Sequence, residues 1–108
     1  MRTVSQKQED RIAEKIGGKR VSNSGATKFD KGDVINLDWL IEAKTRASTR
    51  KNLCIQREWL DKLREEAYAH RRYYYALAIS FDNEKDYFVI EDSLFYKMLK
   101  VLEEQENV

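Results

Sequence analysis

The stretch KGDVINLDWLIEAKT, which runs from Lys31 to Thr45, decides the fold of this chain. Apolar and polar residues alternate from Asp33 onward, and a second apolar run follows from Trp39 to Lys44. Residues 36–38 lie between the two runs, and they include asparagine and aspartate, which favour turns. The stretch therefore predicts a β-hairpin, with two antiparallel strands joined by a short turn.

Two charged residues lie two positions apart on the second predicted strand. Side chains at that spacing point to the same face, so Glu42 and Lys44 are expected to project together. If Asp33 lies on the neighbouring strand near its splayed end, its carboxylate converges on that of Glu42. The opposite face of the strand then carries the side chains of Trp39, Ile41 and Ala43.

The segment from Ser5 to Ile16 has the apolar spacing of an amphipathic helix, and two glycines supply its stop signal at residues 17 and 18. One acid, Glu9, shares the inward face and can approach Asp33 and Glu42, whereas Glu14 points elsewhere. The inward face consists of Glu9, Ile12, Ala13 and Ile16.

Further elements follow on both sides of the hairpin. A short strand is expected around Val21, and a helix from about Gln56 to His70. The runs YYYALAISF and YFVIE predict two more strands, and a last helix begins at Asp92 or Ser93. The predicted order is helix, strand, strand, helix, strand, strand, helix, in an α/β (α+β) chain that forms one domain over residues 1–108.

The composition excludes two broad classes of protein. With 42% hydrophobic and 36% charged residues, the chain is too apolar for a disordered protein and too charged for a membrane protein. No apolar run approaches the roughly 20 residues that span a bilayer, and the first residues lack the apolar centre of a secretion signal. A cytosolic location without a membrane partner is expected.

The scarcity of cysteine and histidine limits the metals that the chain can bind. Cys54 is the only cysteine and His70 the only histidine, which excludes an intrachain disulfide, a thiolate zinc site and a histidine-rich metal site. Cys54 is expected in the core as a small apolar residue. Any metal must be held by oxygen, which indicates Mg²⁺ or Mn²⁺.

The charge is distributed unevenly along the chain, although the net charge is only +1. Five basic residues and no acidic ones lie from Lys44 to Arg57, and the segment from Asp82 to Val108 carries eight acidic against three basic residues. Basic residues around the central segment are candidate phosphate contacts, with a solvated surface as the alternative. They are Lys19, Arg20, Lys28, Lys31, Arg46, Arg50, Lys51 and, on the predicted second helix, Lys62.

Three carboxylates that converge on one point are unfavourable without a cation. With Mg²⁺ bound by Glu9, Asp33 and Glu42, a phosphodiester can be positioned and a coordinated water made more acidic. Lys44 could orient that water or stabilise charge on the phosphate. These residue types suit phosphodiester hydrolysis. For the Glu42–Lys44 pair alone, an ordinary salt bridge on the solvent face of a strand is the alternative.

Asp33 followed by Glu42-Ala43-Lys44 resembles the signature of the PD-(D/E)XK nuclease superfamily, which has an acid on one strand and an acid, any residue and a lysine on the next. Over the region from Glu9 to about Phe81, the chain more narrowly resembles the small Holliday junction resolvases of archaea and bacteriophages. The matching features are Glu9, the loop Ser22–Ala26, Lys31–Val34, Glu42–Lys44, Ser48 and Glu58–Lys62.

The resemblance implies a restriction-endonuclease-like fold, in which helices flank a central mixed β-sheet. It implies Asp33 and Glu42 as ligands of Mg²⁺ or Mn²⁺, with the Ala43 carbonyl as a third ligand. It also implies Lys44 as the catalytic lysine and Glu9 as the helix acid that completes the site.

The sequence differs from that of the archaeal resolvases at the residue directly after the helix acid. Those members often carry an arginine there, whereas this chain has Asp10 and places Arg11 one residue later. Glu14 is therefore the alternative to Glu9. The resemblance also places Ser24 in the loop that touches the cleaved strand, and Ser48 among the DNA contacts.

Together these features predict a metal-dependent endonuclease that resolves four-way DNA junctions during recombination, in the cytoplasm or, if phage-encoded, in the host cytoplasm. A homodimer would supply one active site for each of two symmetry-related strands. The alternatives are a nuclease acting on flaps, single strands or duplex, and a DNA-binding module that does not cleave. The last helix is a candidate dimer surface, with burial against its own sheet as the simpler explanation, through Leu94, Phe95, Met98 and Leu102.

Overall fold

The structure is a computed structural model, and it describes residues 2–21 and 32–106. The predicted order of elements is confirmed over these residues, and a two-residue strand lies next to Val21. No helix in the described ranges has the length and apolar character needed to cross a membrane. The elements are α1 (Val4–Ile16), β1 (Lys19–Arg20), β2 (Asp33–Ile35), β3 (Trp39–Thr45), α2 (Arg57–Ala69), β4 (Tyr74–Ser80), β5 (Tyr87–Val89) and α3 (Asp92–Glu106).

A five-stranded mixed sheet with the strand order β1-β2-β3-β4-β5 forms the centre of the described chain. β3 and β4 are parallel, and the other neighbouring strands are antiparallel. Parallel neighbours cannot be joined by a tight turn, so the connection between β3 and β4 contains α2. The described residues thus form an α+β fold with a mixed sheet and three helices.

The helices α1 and α2 cover opposite faces of the sheet. Side chains alternate along β3, so that Ile41 packs with Ile12 of α1 and Leu40 packs with Leu63 of α2. The buried cluster on the α1 side contains Ile12, Val34, Ile41, Ala76 and Ala78. The cluster on the α2 side contains Val21, Ile35, Leu40, Leu63, Ala67 and Leu77.

Specific contacts determine both ends of α1. At its start, the Thr3 hydroxyl accepts a hydrogen bond from the Gln6 N–H (3.1 Å), and the Gln6 side chain accepts one from the Thr3 N–H (3.0 Å). At its end, Gly17 adopts a left-handed conformation with φ of 63°, as the glycine pair predicts. Gly18 then passes so close to the carbonyl group of Ile35 that a Cβ there would clash with it. The turn after α1 is thereby packed against β2.

Two sequence-based expectations about burial are wrong. None of the residues of α3 is buried, so this helix does not bury its apolar side chains against its own sheet. The physical reason is that α1 and α2 already pack on the two faces of the sheet, and α3 borders only its rim at Trp39 and Tyr74. Cys54 is exposed rather than part of the core, because the segment between β3 and α2 runs along the surface.

Candidate active site

Two of the predicted acids lie side by side on neighbouring strands. Asp33 is directly opposite Glu42 in the antiparallel pair formed by β2 and β3. Residues in such a pair project to the same face, with Cβ atoms about 5 Å apart. The Asp33 side chain is almost fully buried, and the Oε2 atom of Glu42 is buried as well. The hairpin therefore holds two carboxylates together inside the protein.

The position of this acidic pair follows from the strand directions. β2 begins at Asp33, opposite Glu42, which is the middle residue of β3, and β3 ends at Thr45 beside the end of β4. The pair thus lies halfway along β3, and Lys44 lies one residue before the carboxyl end of that strand. In open α/β sheets this end is where ligands commonly bind, since the loops that leave the strands can form a site there.

Lys44 projects to the same face of β3 as Glu42, as the two-residue spacing predicts. Its ammonium nitrogen lies 4.5 Å from the centre of the Trp59 ring in the first turn of α2. This is a cation–π contact, which favours a fixed position for the ammonium group. The sequence placed Trp59 on the predicted second helix without a contact to Lys44, because a contact between β3 and α2 depends on how these elements pack.

Glu9 is buried on α1, whereas Glu14 is exposed, as the helical phase predicts. Its Oε2 atom would lie 3.9 Å from a Cβ at Gly32, so Glu9 borders the residue that leads into β2. Its other oxygen lies 3.7 Å from Arg20 Nη1, and the Nε atom of Arg20 lies 3.2 Å from Asp10. Arg20, a candidate phosphate contact in the sequence, is thus an ion-pair partner of the helix acids.

The possible metal ligands in the site can be compared with the ligands that a hard divalent cation requires. Within residues 2–21 and 32–106, no three acidic, histidine or cysteine side chains are grouped so that they could hold a metal ion. Mg²⁺ often uses only one or two protein carboxylates and fills its other positions with water and substrate phosphate oxygens. Asp33 and Glu42 fit that requirement as a pair. The predicted third ligand, the Ala43 carbonyl, belongs to the same strand, and its role stays a prediction.

The predicted DNA contacts fall into three groups. Arg46, Ser48, Arg50 and Lys51 are exposed in the segment that directly follows β3, the strand that carries Glu42 and Lys44. Lys62 is exposed on α2, and its ammonium group lies 3.8 Å from Glu66. Of the others besides Arg20, Lys19 is exposed on β1, and Ser24, Lys28 and Lys31 lie outside the described residues.

A partly buried polar network joins α1 to the segment before β5. Arg11 donates two hydrogen bonds of 2.7 Å to the carboxylate of Asp86. Gln8 donates to Asp86 (3.2 Å) and to the carbonyl of Ala78 (3.3 Å). The hydrogen bond with Asp86 raises the pKa of Arg11 above its ordinary value, although partial burial opposes this shift. Sequence reasoning missed this network because its partners are 70 or more residues apart in the chain.

The fold and the site together define an α+β protein that carries an acidic pair and a lysine on one face of the β2–β3 hairpin. No family model matches the chain, and no curated protein or solved structure was found to match it.

Proposed function

We propose that this protein is a metal-dependent DNA endonuclease with a restriction-endonuclease-like fold of the PD-(D/E)XK type. One observation carries the proposal: Asp33 lies directly opposite Glu42, and Lys44 projects from the same face two residues further on. Two carboxylates and one amine therefore lie on one face of the hairpin, and the proposal assigns the carboxylates as oxygen ligands. The Ala43 carbonyl and Glu9 are the further groups that the proposal assigns to the site.

Each group has a physical role in phosphodiester hydrolysis. Asp33 and Glu42 would hold Mg²⁺ or Mn²⁺, and the positive charge would offset the repulsion between two carboxylates held together in the interior. The chemistry that such an ion would supply is a more acidic water and neutralisation of negative charge on the phosphate. Lys44, held over the ring of Trp59, stabilises the charge that develops on the phosphate oxygens.

The reaction consumes one water molecule for each strand that is cut. The water oxygen forms a bond to phosphorus while the bond between phosphorus and the 3′ oxygen breaks. The 3′ oxygen takes up a proton, so the products are a 5′-phosphate and a 3′-hydroxyl.

The substrate in this proposal is a four-way DNA junction cut during recombination. A junction presents two symmetry-related strands, and a homodimer presents two sites related by a two-fold axis. The exposed segment after β3 would contact the DNA backbone near the site, since it directly follows the strand that carries Glu42 and Lys44. The contacting residues would be Arg46, Ser48, Arg50 and Lys51.

Cleavage of a labelled synthetic junction with and without Mg²⁺ tests this function. We expect the wild-type protein to cut the junction in preference to linear duplex, and the Glu42→Gln and Asp33→Asn variants to lose at least about 100-fold in rate. Glu65→Gln, a change of an exposed acid on α2, is the matched control and should cut normally. If linear duplex were cut as fast as the junction, the protein would not be specific for four-way junctions and would be a nuclease of another specificity.

Thermal unfolding measures metal binding without relying on activity. A ligand that binds only the folded state raises stability by about 2.7 kcal/mol at 100 times its dissociation constant. We expect Mg²⁺ or Mn²⁺ to raise the melting temperature of the wild-type protein and of Glu65→Gln, but not that of Glu42→Gln. A wild-type protein that neither responds to these ions nor cuts any DNA would contradict the nuclease proposal.

A DNA-binding module that does not cleave is the second candidate, and two observations favour it. Glu9 has Arg20 as an ion-pair partner, and the described residues contain no three-acid group suited to a metal. Binding of the junction without cleavage, unaffected by Glu42→Gln, is the result that this candidate predicts.

A further inference from the structure

Arg71 follows the end of α2 in a backbone conformation that an arginine rarely adopts. Its φ of 56° lies in the left-handed region. Its N–H donates to the Tyr68 carbonyl (3.3 Å), and the N–H of Arg72 donates to the Ala67 carbonyl (2.8 Å). Glycine usually occupies this position of a helix end, because a Cβ is unfavourable there. The side chain of Arg71 is exposed and, over residues 2–21 and 32–106, forms no ion pair, so its charge is available to a ligand.

A groove of about 440 Å³ lies between the turn after α1, the β2–β3 turn and Arg72. The charged residues in its wall, among those that the structure describes, are Lys19 and Arg72, which are both basic. Asp38 of the β2–β3 turn does not line it. A second groove also touches Arg72, but Asp61 and Glu65 are among its lining residues. A polyanion is therefore attracted to the first groove more than to the second.

Two helices end near this groove, and the negative end of a helix dipole opposes the binding of an anion. At the end of α1, the Ile16 carbonyl accepts a hydrogen bond from the Asn36 side chain (3.1 Å), and the N–H groups of the glycine pair donate to earlier carbonyls. At the end of α2, the Arg72 side chain donates to the His70 carbonyl (3.1 Å). These contacts satisfy carbonyl groups at both helix ends, so the charges of the groove can act on an anion.

The groove and the basic segment after β3 lie towards opposite ends of that strand. The β2–β3 turn, which forms one wall of the groove, precedes β3, whereas Arg46 directly follows its last residue. Seven residues at about 3.3 Å each separate the two basic regions by roughly 20 Å, which corresponds to about six base pairs at 3.4 Å. Glu42 is the middle residue of β3, so a DNA strand cut there has basic side chains towards both ends of β3.

We infer that Lys19, Arg71 and Arg72 bind backbone phosphates of a second DNA arm, away from the strand that is cut. Leu37, which is 83% exposed at the rim of the groove, packs against a sugar of that arm. The identity of the ligand as DNA rests on the proposed function. A surface for a second arm favours a four-way junction over linear duplex, because two arms of a junction leave the cut position in different directions.

The Arg71→Gly variant tests the inference without disturbing the fold, because glycine readily adopts the left-handed conformation. We expect its melting temperature to be at least that of the wild-type protein. Its affinity for a labelled junction should fall about eightfold at about 0.1 M salt, and the slope of log K against log salt concentration should lose about 0.9 in magnitude, as for one phosphate contact. Fluorescence anisotropy with Ca²⁺ in place of Mg²⁺, to prevent cleavage, measures both.

Lys7→Ala is the matched control, because it removes one exposed positive charge from α1. It should bind the junction as the wild-type protein does. Unchanged junction binding by Arg71→Gly, or an equal loss in Lys7→Ala, would overturn the inference.

Charge changes at Leu37 supply a second test that leaves the basic residues in place. Leu37→Lys should strengthen junction binding, Leu37→Glu should weaken it, and Leu37→Gln should fall between the two, because this side chain lines the groove. Equal binding by the Leu37→Lys and Leu37→Glu variants would overturn the placement of DNA in the groove. Inorganic phosphate, compared with chloride at equal ionic strength, should not displace the DNA, and displacement would indicate a site for free phosphate instead.

A linear duplex with the same sequence around the cut tests the assignment to a second arm. Arg71→Gly should lose less affinity for this duplex than for the junction, and an equal loss would overturn the assignment. Junction binding that depends on Arg71 but is not followed by cleavage in Mg²⁺ would contradict the proposed function alone. Cleavage of junctions with no effect of changes at Arg71 or Leu37 on binding would contradict this inference alone.

Discussion

The ammonium group of Lys44 lies over the indole ring of Trp59, so a residue of α2 positions the amine proposed to act on the phosphate. A lysine side chain has four rotatable bonds, and without a neighbour its amine samples many positions. The face of an aromatic ring attracts a cation by about 0.5–2 kcal/mol, depending on solvent exposure. Trp59 is therefore a positioning residue for Lys44 in the proposed reaction.

Replacing Trp59 should lower the rate of cleavage more than the binding of the junction. We expect Trp59→Ala to lower kcat by about 3- to 30-fold with little change in KM, since the ring acts on the amine and not on the DNA. Trp59→Phe keeps an aromatic face and should recover most of the rate. Single-turnover and steady-state cleavage rates, recorded well below the melting temperature of each variant, measure the effect.

Tyr68→Ala supplies the control, because Tyr68 is an aromatic residue on the same helix and is 87% exposed. It should cleave at the wild-type rate. Equal losses in Trp59→Ala and Trp59→Phe, or no loss in either, would contradict a positioning role for the ring.

At the scale of the elements, the glycine pair after α1 has two separate functions. Gly17 ends the helix in the left-handed region, where a side chain costs roughly 1 kcal/mol, and a Cβ there would meet no atom within 4 Å. Gly18 makes the close backbone contact with Ile35 that joins the helix end to β2. Sequence reasoning identified both residues as a stop signal and did not predict the contact of Gly18.

The two glycines should therefore respond differently to substitution by alanine. We expect Gly17→Ala to lower the free energy of unfolding by about 1 kcal/mol. Gly18→Ala should lower it by about 2–3 kcal/mol or more, because the backbone of α1 or β2 must shift to admit the methyl group. Urea denaturation followed by circular dichroism measures both changes. Equal losses for the two variants would show that Gly18 is not tightly packed against β2.

At the scale of the whole molecule, one exposed cluster of basic residues lies close to the candidate site, within the part of the chain that the structure describes. This basic segment begins at Arg46, two residues after Lys44, and directly follows the strand that carries Glu42. The acidic residues of the C-terminal third are on α3 and around β5. A net charge of +1 therefore does not describe the electrostatic potential near the site. The basic segment makes that local potential favourable for a polyanion.

This distribution predicts how DNA binding depends on salt. Each phosphate contact contributes about 0.9 to the slope of log K against log salt concentration. Removing the three basic side chains after β3 should reduce the magnitude of the slope by about 2.7 if each contacts one phosphate. Fluorescence anisotropy of a labelled junction, measured with Ca²⁺ in place of Mg²⁺ to prevent cleavage, gives the slope. The variant combines Arg46→Ala, Arg50→Ala and Lys51→Ala.

A control variant removes the same net charge from other surfaces. Its three lysines are exposed, on α1 and in the β4–β5 connection. The slope should stay near the wild-type value, and an equal reduction in both variants would show that net charge, and not the segment after β3, governs binding. The control combines Lys7→Ala, Lys15→Ala and Lys85→Ala.

The sequence by itself determined the features that depend on neighbours in the chain. Two-residue periodicity and turn-forming residues specified the hairpin and its faces, and helical phase placed Glu9 inward and Glu14 outward. The opposition of Asp33 and Glu42 followed from the short hairpin, because its length leaves few registers for pairing.

Only the tertiary structure decided the features that join distant segments. The contact of Lys44 with Trp59, the ion pair of Glu9 with Arg20 and the exposure of α3 each depend on how whole elements pack. An amphipathic pattern indicates that a helix has an apolar side, but it does not indicate which surface covers that side. The apolar pattern of α3 is therefore the same whether the helix packs on its own sheet or on a second copy of the chain. Only the arrangement of the other elements distinguishes these two possibilities.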